Sequence, residues 1–564
     1  MRPPRSPVRS LGLTACLGAL LLAFAPPAWA QEEERPLPPP VPVADDALAA
    51  ALETGELTEA EYTLERARSV FQLTRVRREF GDVARPSAHD ATLILRDLAA
   101  RMNELGGAEQ GTAERILARP GSGEVPIGNG WGTVPESPSS PLCAENVCVH
   151  WVDDPGSSDA PPPLDVDPAD GIPDWVKLTV GTWREVWLQE IDALGYRAPL
   201  SDETSPNGGT QKLDVYLDDL GSLGYFGYCT SDDPAAEDPD VYAVSAFCVI
   251  DNDFAQSQYG DEHSSQEFLE VTSAHEFHHA SQFAYDWGED AWLMEGTAAD
   301  VEETVYPGVN DNVFFLRLWS PLTRPSSSLD RGGFGDSEYG SWIFWRYLQE
   351  KIGGDVSIVR EIWERADAND PTAARGDEPP DDYSLEAVRH ELSERGLGFG
   401  SVFAGFATTN RLRDYADAAA AGYPSPGLTM SYVVGRRDPT TRWRSWRINH
   451  LAARYFSFRP RADVPANARL RVLTRLPGYG AATLIVVNAD GSTSSRRLER
   501  KAGGYARGTT PFGHGKIKRI EVAFSNGSTR MTSCWTSPGP PAYSCAGRPR
   551  DDGRVFELRA RLLR

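Results

Sequence analysis

The sequence predicts a multidomain α+β chain with a helical N-terminal segment, a mixed central domain and a C-terminal β-sandwich. Three observations carry that expectation. Ser/Thr-x-x-Glu capping boxes at Thr58/Glu61 and Ser264/Glu267 open runs whose apolar residues recur at helical spacing. Short apolar runs of strand length at 147–152, 213–217 and 244–250 precede the second of those boxes. After Leu451 the pattern changes to strand-length runs at 454–458, 470–476, 483–487, 520–524 and 555–563, with Asp490-Gly491 and Asn526-Gly527 as tight turns. At 564 residues the chain is too long for one core.

Taken in order, Arg2, Arg5 and Arg9 precede an apolar stretch from Leu11 to Phe24 and then Ala28-Trp29-Ala30, the pattern of a signal peptide cleaved after Ala30. Leu13-Thr14-Ala15-Cys16 resembles a lipobox, but most of the apolar residues follow it instead of preceding it. Residues 31–43 are acidic and proline-rich, an unfolded lead. Thr58 then caps a helix with Leu57 and Tyr62 as its apolar staple, and a second helix is expected from about 88 to 105, with Ile94, Leu95, Leu98, Met102 and Leu105 on one face before Gly106-Gly107. Gly, Pro and Ser dominate 121–141, which reads as an exposed linker. The helical segment is therefore either a removable propeptide or a permanent packing module. The expected boundaries are 1–30, 31–141, 142–428 and 429–564.

Removing Cys16 with the signal leaves Cys143, Cys148, Cys229, Cys248, Cys534 and Cys545, an even set that suggests disulfides in an exported chain. Pairing nearest neighbours is one of about fifteen connectivities; a zinc–cysteine site is disfavoured because no C-x-x-C repeats. The net charge is −25, or −28 without the three signal arginines, which argues against nucleic acid and anionic membranes as partners. No later apolar run is long enough to span a bilayer. Asp165, Asp167, Asp170 and Asp174 cluster around Gly171, the oxygen-rich chemistry of a calcium site, although such Asp/Pro/Gly loops also form turns without metal and the bidentate glutamate of an EF-hand is missing.

The chemistry concentrates in His275-Glu276-Phe277-His278-His279, an H-E-x-x-H sequence placed by the Ser264 cap inside a helix. His275 and His279 lie one turn apart on one face, so both can reach one zinc ion while Glu276 leans toward its water. Glu295 follows His279 by sixteen residues, just before a helix-compatible run at 296–305, and can supply a third ligand from a second helix. Its alternative role is a carboxylate at a helix N-terminus. His278 points off the metal axis, and Glu302 either orients a ligand histidine or is solvated.

Trp292-Leu293-Met294-Glu295-Gly296-Thr297-Ala298 with Glu302 resembles the corresponding segment of the gluzincin metallopeptidases, notably the M1 aminopeptidases. A closer likeness is to secreted bacterial metalloproteases that carry HEF-x-H, then EGTA, then a stretch like Val305 to Asp311; it covers about 143–420. The resemblance implies a zincin-like catalytic domain, His275, His279 and Glu295 as zinc ligands, Glu276 as general base, and Tyr339, which opens an aromatic helix, as oxyanion donor. The alternative for Tyr339 is a packing aromatic. No G-x-M-E-N motif lies upstream, so the expectation is an endopeptidase acting on protein or peptide substrates, with 244–250 as a weak candidate for the strand that holds the substrate backbone. The C-terminal domain would bind a surface or substrate, or stabilise the enzyme. Two other classes are weighed: a surface-binding protein with a catalytically silent zinc site, which the intact Glu276 opposes, and a serine hydrolase, for which Gly335-Asp336-Ser337 is a poor elbow.

Overall fold

The computed structural model describes residues 46–86, 91–122, 130–203, 205, 208–237, 241–332, 337–368, 382–534 and 543–563. The expected signal peptide and acidic lead, and Gly335-Asp336, lie outside the described residues. All the described residues belong to one compact unit, 36–564.

Helices α1 (Ala47–Thr54), α2 (Glu59–Phe80), α3 (Ala91–Arg101) and α4 (Gly107–Ile116) form the N-terminal segment. Thr58 and Glu61 close the expected capping box on α2. The second helix ends before Gly106-Gly107, as expected, and these glycines start a further helix, α4, with Gly106 as its N-cap in extended conformation. Leu64, Leu95, Leu98 and Ile116 of these helices belong to the same hydrophobic core as Val147, Val215, Phe277 and Trp363 of the central region. The segment thus shares the core of the central region. The expected exposed linker is pinned at Trp131, which is buried and donates its indole N–H to Leu217 O at 2.9 Å. Burying one large ring outweighs the loop character of the Gly and Pro around it.

The central region begins with β1 (Leu142–Cys143), β2 (Val147–His150), α5 (Asp174–Trp187), β3 (Leu213–Asp218), β4 (Gly227–Thr230) and β5 (Phe247–Asp251). The strands form one sheet in the order β1-β2-β3-β5-β4. Strands β2, β3 and β5 run parallel, while β1 and β4 are antiparallel at the two edges. Residues 247–251, within the stretch expected to receive substrate, are therefore interior and hydrogen-bonded on both sides, and the edge strand β4 is itself buried against α3, with Cys229 N–H donating to Thr92 Oγ1 at 3.0 Å. Short α6 (Gln256–Tyr259) precedes α7 (Ser265–Asp286) and α8 (Ala291–Val305), followed by α9 (Val313–Leu318), α10 (Trp342–Leu348), α11 (Ser357–Arg365), α12 (Leu385–Glu394) and α13 (Phe399–Leu412). Helix α7 packs on β4 and β5 and against α5 and α8, which explains why nearly every residue from Phe268 to Asp286 is buried. No helix among the described residues is long and apolar enough to cross a membrane.

The C-terminal strands are β6 (Met430–Val434), β7 (Arg444–Ile448), β8 (Ala452–Pro460), β9 (Arg469–Arg475), β10 (Gly480–Asn488), β11 (Thr493–Arg497), β12 (Tyr505–Pro511), β13 (Ile517–Asn526), β14 (Met531–Thr532), β15 (Arg548–Pro549) and β16 (Arg554–Leu563). A five-stranded sheet, β11-β10-β13-β8-β6, faces a four-stranded one, β12-β9-β16-β7. Phe456, Leu484 and Val522 from the first and Leu470, Val472 and Phe556 from the second fill the core between them. The five expected strands are present. The polar strands β11 and β12 escaped the sequence because their exposed faces carry no apolar alternation.

Three disulfides join Cys143 to Cys148, Cys229 to Cys248 and Cys534 to Cys545, the nearest-neighbour pairing. The first two staple directly opposed residues of β1/β2 and β5/β4. They suit an oxidising compartment. In the Asp165–Asp174 loop the ammonium of Lys177 sits among Asp170, Asp165 and Asp174, at 2.9, 3.1 and 3.3 Å. The aspartates of this loop pair with that tethered cation and are not among the described residues whose ligand atoms converge with metal-ligand spacing.

Candidate metal centre

The site is built on two consecutive helices. Ser264 caps α7 by accepting from Glu267 N–H, and Glu267 returns a bond to Ser264 N–H, fixing the start of the helix and with it the phase of the histidines. His275 and His279 come off one face a turn apart. The second helix begins earlier than the sequence suggested, at Ala291, so Glu295 projects from inside α8 instead of preceding it. Gly296 lets α8 approach α10, since a Cβ there would fall 2.4 Å from Ser341 Oγ and 2.5 Å from Trp345 Nε1.

His275 Nε2 and His279 Nε2 lie 3.1 Å apart, and Glu295 Oε2 is 3.3 Å from the first and 3.4 Å from the second. Three ligands bonded to one ion at about 2.1 Å with tetrahedral angles stand roughly 3.3 to 3.4 Å apart. The donor triangle matches a divalent ion in size. It is the one grouping of His, Cys, Asp or Glu with metal-ligand spacing among the described residues. Burial opposes ionisation of Glu295, but the charge of His279 and hydrogen bonds from both histidines hold its carboxylate down at about 2. Burial likewise disfavours a charged His275, yet its bonds to Glu295 and Glu302 keep the imidazole pKa well above its ordinary value without metal.

The outer nitrogens are held as well. His275 Nδ1 meets Glu302 Oε1 at 2.7 Å, the orienting role weighed for Glu302. His279 Nδ1 meets Gln282 Oε1 at 2.7 Å, and Gln282 donates its amide to Met294 O and Thr297 Oγ1. That fixes the Gln282 oxygen as an acceptor, places the proton of His279 on Nδ1 and turns the Nε2 lone pair toward the cluster. Gln282, three residues beyond His279 on the same helix, was legible from spacing and was missed. We expect Glu302→Gln to weaken metal binding about 10- to 100-fold, measured by chelator competition; unchanged affinity would mean that the bond to His275 contributes nothing.

Glu276 is buried, and its Oε2 accepts a 3.1 Å bond from the Thr92 hydroxyl of α3, which itself accepts from Cys229 N–H of β4 at 3.0 Å. Burial raises the Glu276 pKa; His279, His275 and Thr92 act in the opposite direction. Gly227 of β4 leaves room for this carboxylate, because a Cβ there would lie 2.9 Å from Glu276 Cγ. Thr92 and Gly227 are distant in sequence and carry no motif, so only folding reveals them. A small cavity lined by Phe226, Val271, Thr272, His275, Glu276, Glu302 and Asp311 reaches the cluster.

Tyr339 is fully buried in a helical turn, Tyr339–Ser341, ahead of α10. Its ring stacks on His275 at 5.6 Å between centroids and on Phe315 at 4.9 Å, which places it beside the cluster. His278 faces away, bound to Glu190 at 2.8 Å; burial and the neighbouring imidazoles drive its pKa well down. Ser337 donates its hydroxyl to Arg331 O and Glu338 Oε2, with no histidine partner among the described residues. Comparison with known proteins finds no family model and no curated relative that matches the chain.

Proposed function

We propose that the protein is a zinc-dependent peptidase that hydrolyses peptide bonds in protein or peptide substrates. The observation that carries this reading is the tetrahedral-sized donor triangle of two imidazoles and a carboxylate beside the buried, unliganded Glu276. Two nitrogens and one oxygen from three residues is the donor set of a catalytic zinc site, which keeps a position open. A zinc ion held there supplies Lewis acidity and brings a coordinated water toward neutral pKa.

Glu276 accepts a proton from the attacking water and passes it to the departing amine as the carbon–nitrogen bond breaks. Thr92 holds that carboxylate in place and favours its ionised form. Tyr339 is assigned to the oxyanion, with an effect of about 10² to 10³ on kcat. Tyr339→Phe is therefore expected to lower kcat by that factor at unchanged metal content; an unaltered kcat would make it a packing ring on His275.

Losing the Thr92 hydroxyl removes a bond that lowers the Glu276 pKa. Because the base works only when ionised, Thr92→Val should move the acidic limb of kcat/KM to higher pH, whereas Thr92→Ser should not. Identical limbs for all three proteins would detach Thr92 from the base. Metal analysis combined with digestion of an unbiased peptide library tests the whole reading. Stoichiometric zinc with no cleavage of any peptide would replace it with a binding protein bearing a silent site.

A further inference from the structure

The charge of this chain is unevenly distributed. Residues 429–564 hold 26 Lys and Arg against 8 Asp and Glu, whereas residues 1–428 hold 30 against 73. The overall charge of −25 thus conceals a basic C-terminal region. The sandwich then sorts these side chains. One sheet turns its outer face to α13, with Ile485, Val487, Tyr455 and Ala523 packed against Ala407. The outer face of the other sheet meets solvent.

On that face the strand register lines up arginines. Arg507 and Arg559 flank Leu473 from the two neighbouring strands, and Arg471 and Arg561 are directly opposed. Arg469, Arg475 and Arg447 extend the array toward its margins, so that seven of the fifteen outward positions on the four strands are arginine. The one carboxylate among those positions, Glu557, pairs with Arg475 at 3.1 Å. Among the described residues Arg469, Arg471, Arg507, Arg559 and Arg561 have no carboxylate partner, and all are exposed or half-exposed. Like charges placed directly across a ladder destabilise it. A stable sandwich has no need of Arg471 opposite Arg561, which points to a use outside the fold.

We propose that this sheet face is a docking surface for an anionic phospholipid membrane, bound peripherally. The geometry favours a plane over a thread. With strands about 4.8 Å apart and alternate residues about 6.7 Å apart, the guanidiniums spread in two dimensions over a patch roughly 15 by 20 Å. A single extended polyanion would meet one row, whereas a sheet of phosphate headgroups meets all of them. The aromatic rings that would stack unpaired bases are not free here, since Trp443 and Tyr505 both pack on the Arg475 guanidinium. The outward apolar residues Leu473, Val555 and Leu563 are short and few, which suits surface contact without insertion. The acidic remainder does not forbid this contact. Screening falls off over about 8 Å at physiological salt, so a membrane responds to the face it touches, and the charge asymmetry turns that face toward it.

The test uses the full-length chain and co-sedimentation with phosphatidylcholine vesicles, with and without phosphatidylglycerol. Binding is expected only to the anionic vesicles, weakening as salt rises. The combined variant Arg471→Gln, Arg507→Gln, Arg559→Gln, Arg561→Gln should bind at least about 100-fold more weakly at unchanged metal content. The same four changed to Lys should retain most of the binding. Absence of wild-type binding, or equal binding by the Gln variant, overturns the proposal. Tight binding to heparin or a polynucleotide without vesicle binding overturns it in favour of a linear polyanion. Self-association that the Gln variant abolishes, with no vesicle binding, overturns it in favour of the acidic region of a second copy. If circular dichroism shows the Gln variant unfolded, the Lys variant and the salt titration of the wild type decide the matter.

Discussion

Glu276→Gln is expected to keep one metal ion per chain and to lose peptide hydrolysis by about 10³ to 10⁴, near the upper end of what general base catalysis supplies. The amide fills the same space against Gly227 and can still meet the Thr92 hydroxyl, so the fold has no reason to change. What disappears is the proton acceptor. Metal content by elemental analysis and turnover of a peptide known to be cleaved by the parent should be measured on the same sample. Near-parental turnover by the metal-loaded variant would remove Glu276 from the mechanism and leave the cluster as a structural or binding site.

Removing a ligand should have the larger effect on the metal. His279→Ala leaves two donors where three converge and removes the opposing charge that lowers the Glu295 pKa most, so tight binding is expected to fail. The buried carboxylate then keeps only His275 as a charged partner, so a stability loss below the roughly 3 to 5 kcal/mol of a fully broken buried pair is expected. Glu295→Gln tests the same site from the other side, losing metal affinity without leaving a buried charge.

The pH dependence of the metal-free wild type follows from the two shifts. Glu295 is lowered from 4.5 to about 2, so its contribution is complete above about 4.5 and is lost as pH falls toward 2. His275 is raised, so its contribution is complete below about 6.5 and is lost as pH rises through its folded value. Metal binding runs the other way, because its ligands must be deprotonated. The difference in melting temperature between metal-loaded and metal-stripped protein should therefore widen from mildly acidic to mildly alkaline pH. A gap that is constant or narrows would show that the cluster does not hold the ion.

Much of the local structure was readable because it is set by neighbours in sequence. The Ser264/Glu267 and Thr58/Glu61 boxes satisfy donors three residues apart and mark their helices without tertiary help. The spacing of His275 and His279 put both on one face by helix geometry alone, while of about fifteen possible cysteine pairings it took the folded chain to select the nearest-neighbour set. The apolar strands of the C-terminal sheets announced themselves through alternation, while the polar strands β11 and β12 did not.

Other features depend on groups that only folding brings together. Thr92 reaches Glu276 across 184 residues, and no local pattern encodes a hydroxyl's distant partner. The edge position of β4 and the interior position of β5 follow from strand order, which the strands' own residues do not specify. The Lys177 ammonium folds back among the aspartates of the acidic loop, a contact invisible in the order of charges. The arginine array is similar, since its residues come from four strands and become neighbours only through register. Sequence alone was enough for the helix that carries the histidines and for the donor types it offers, because these rest on short-range spacing. Tertiary structure decided which carboxylates face the histidines, what holds the base and where the positive charge collects, because burial and strand pairing act between residues far apart along the chain.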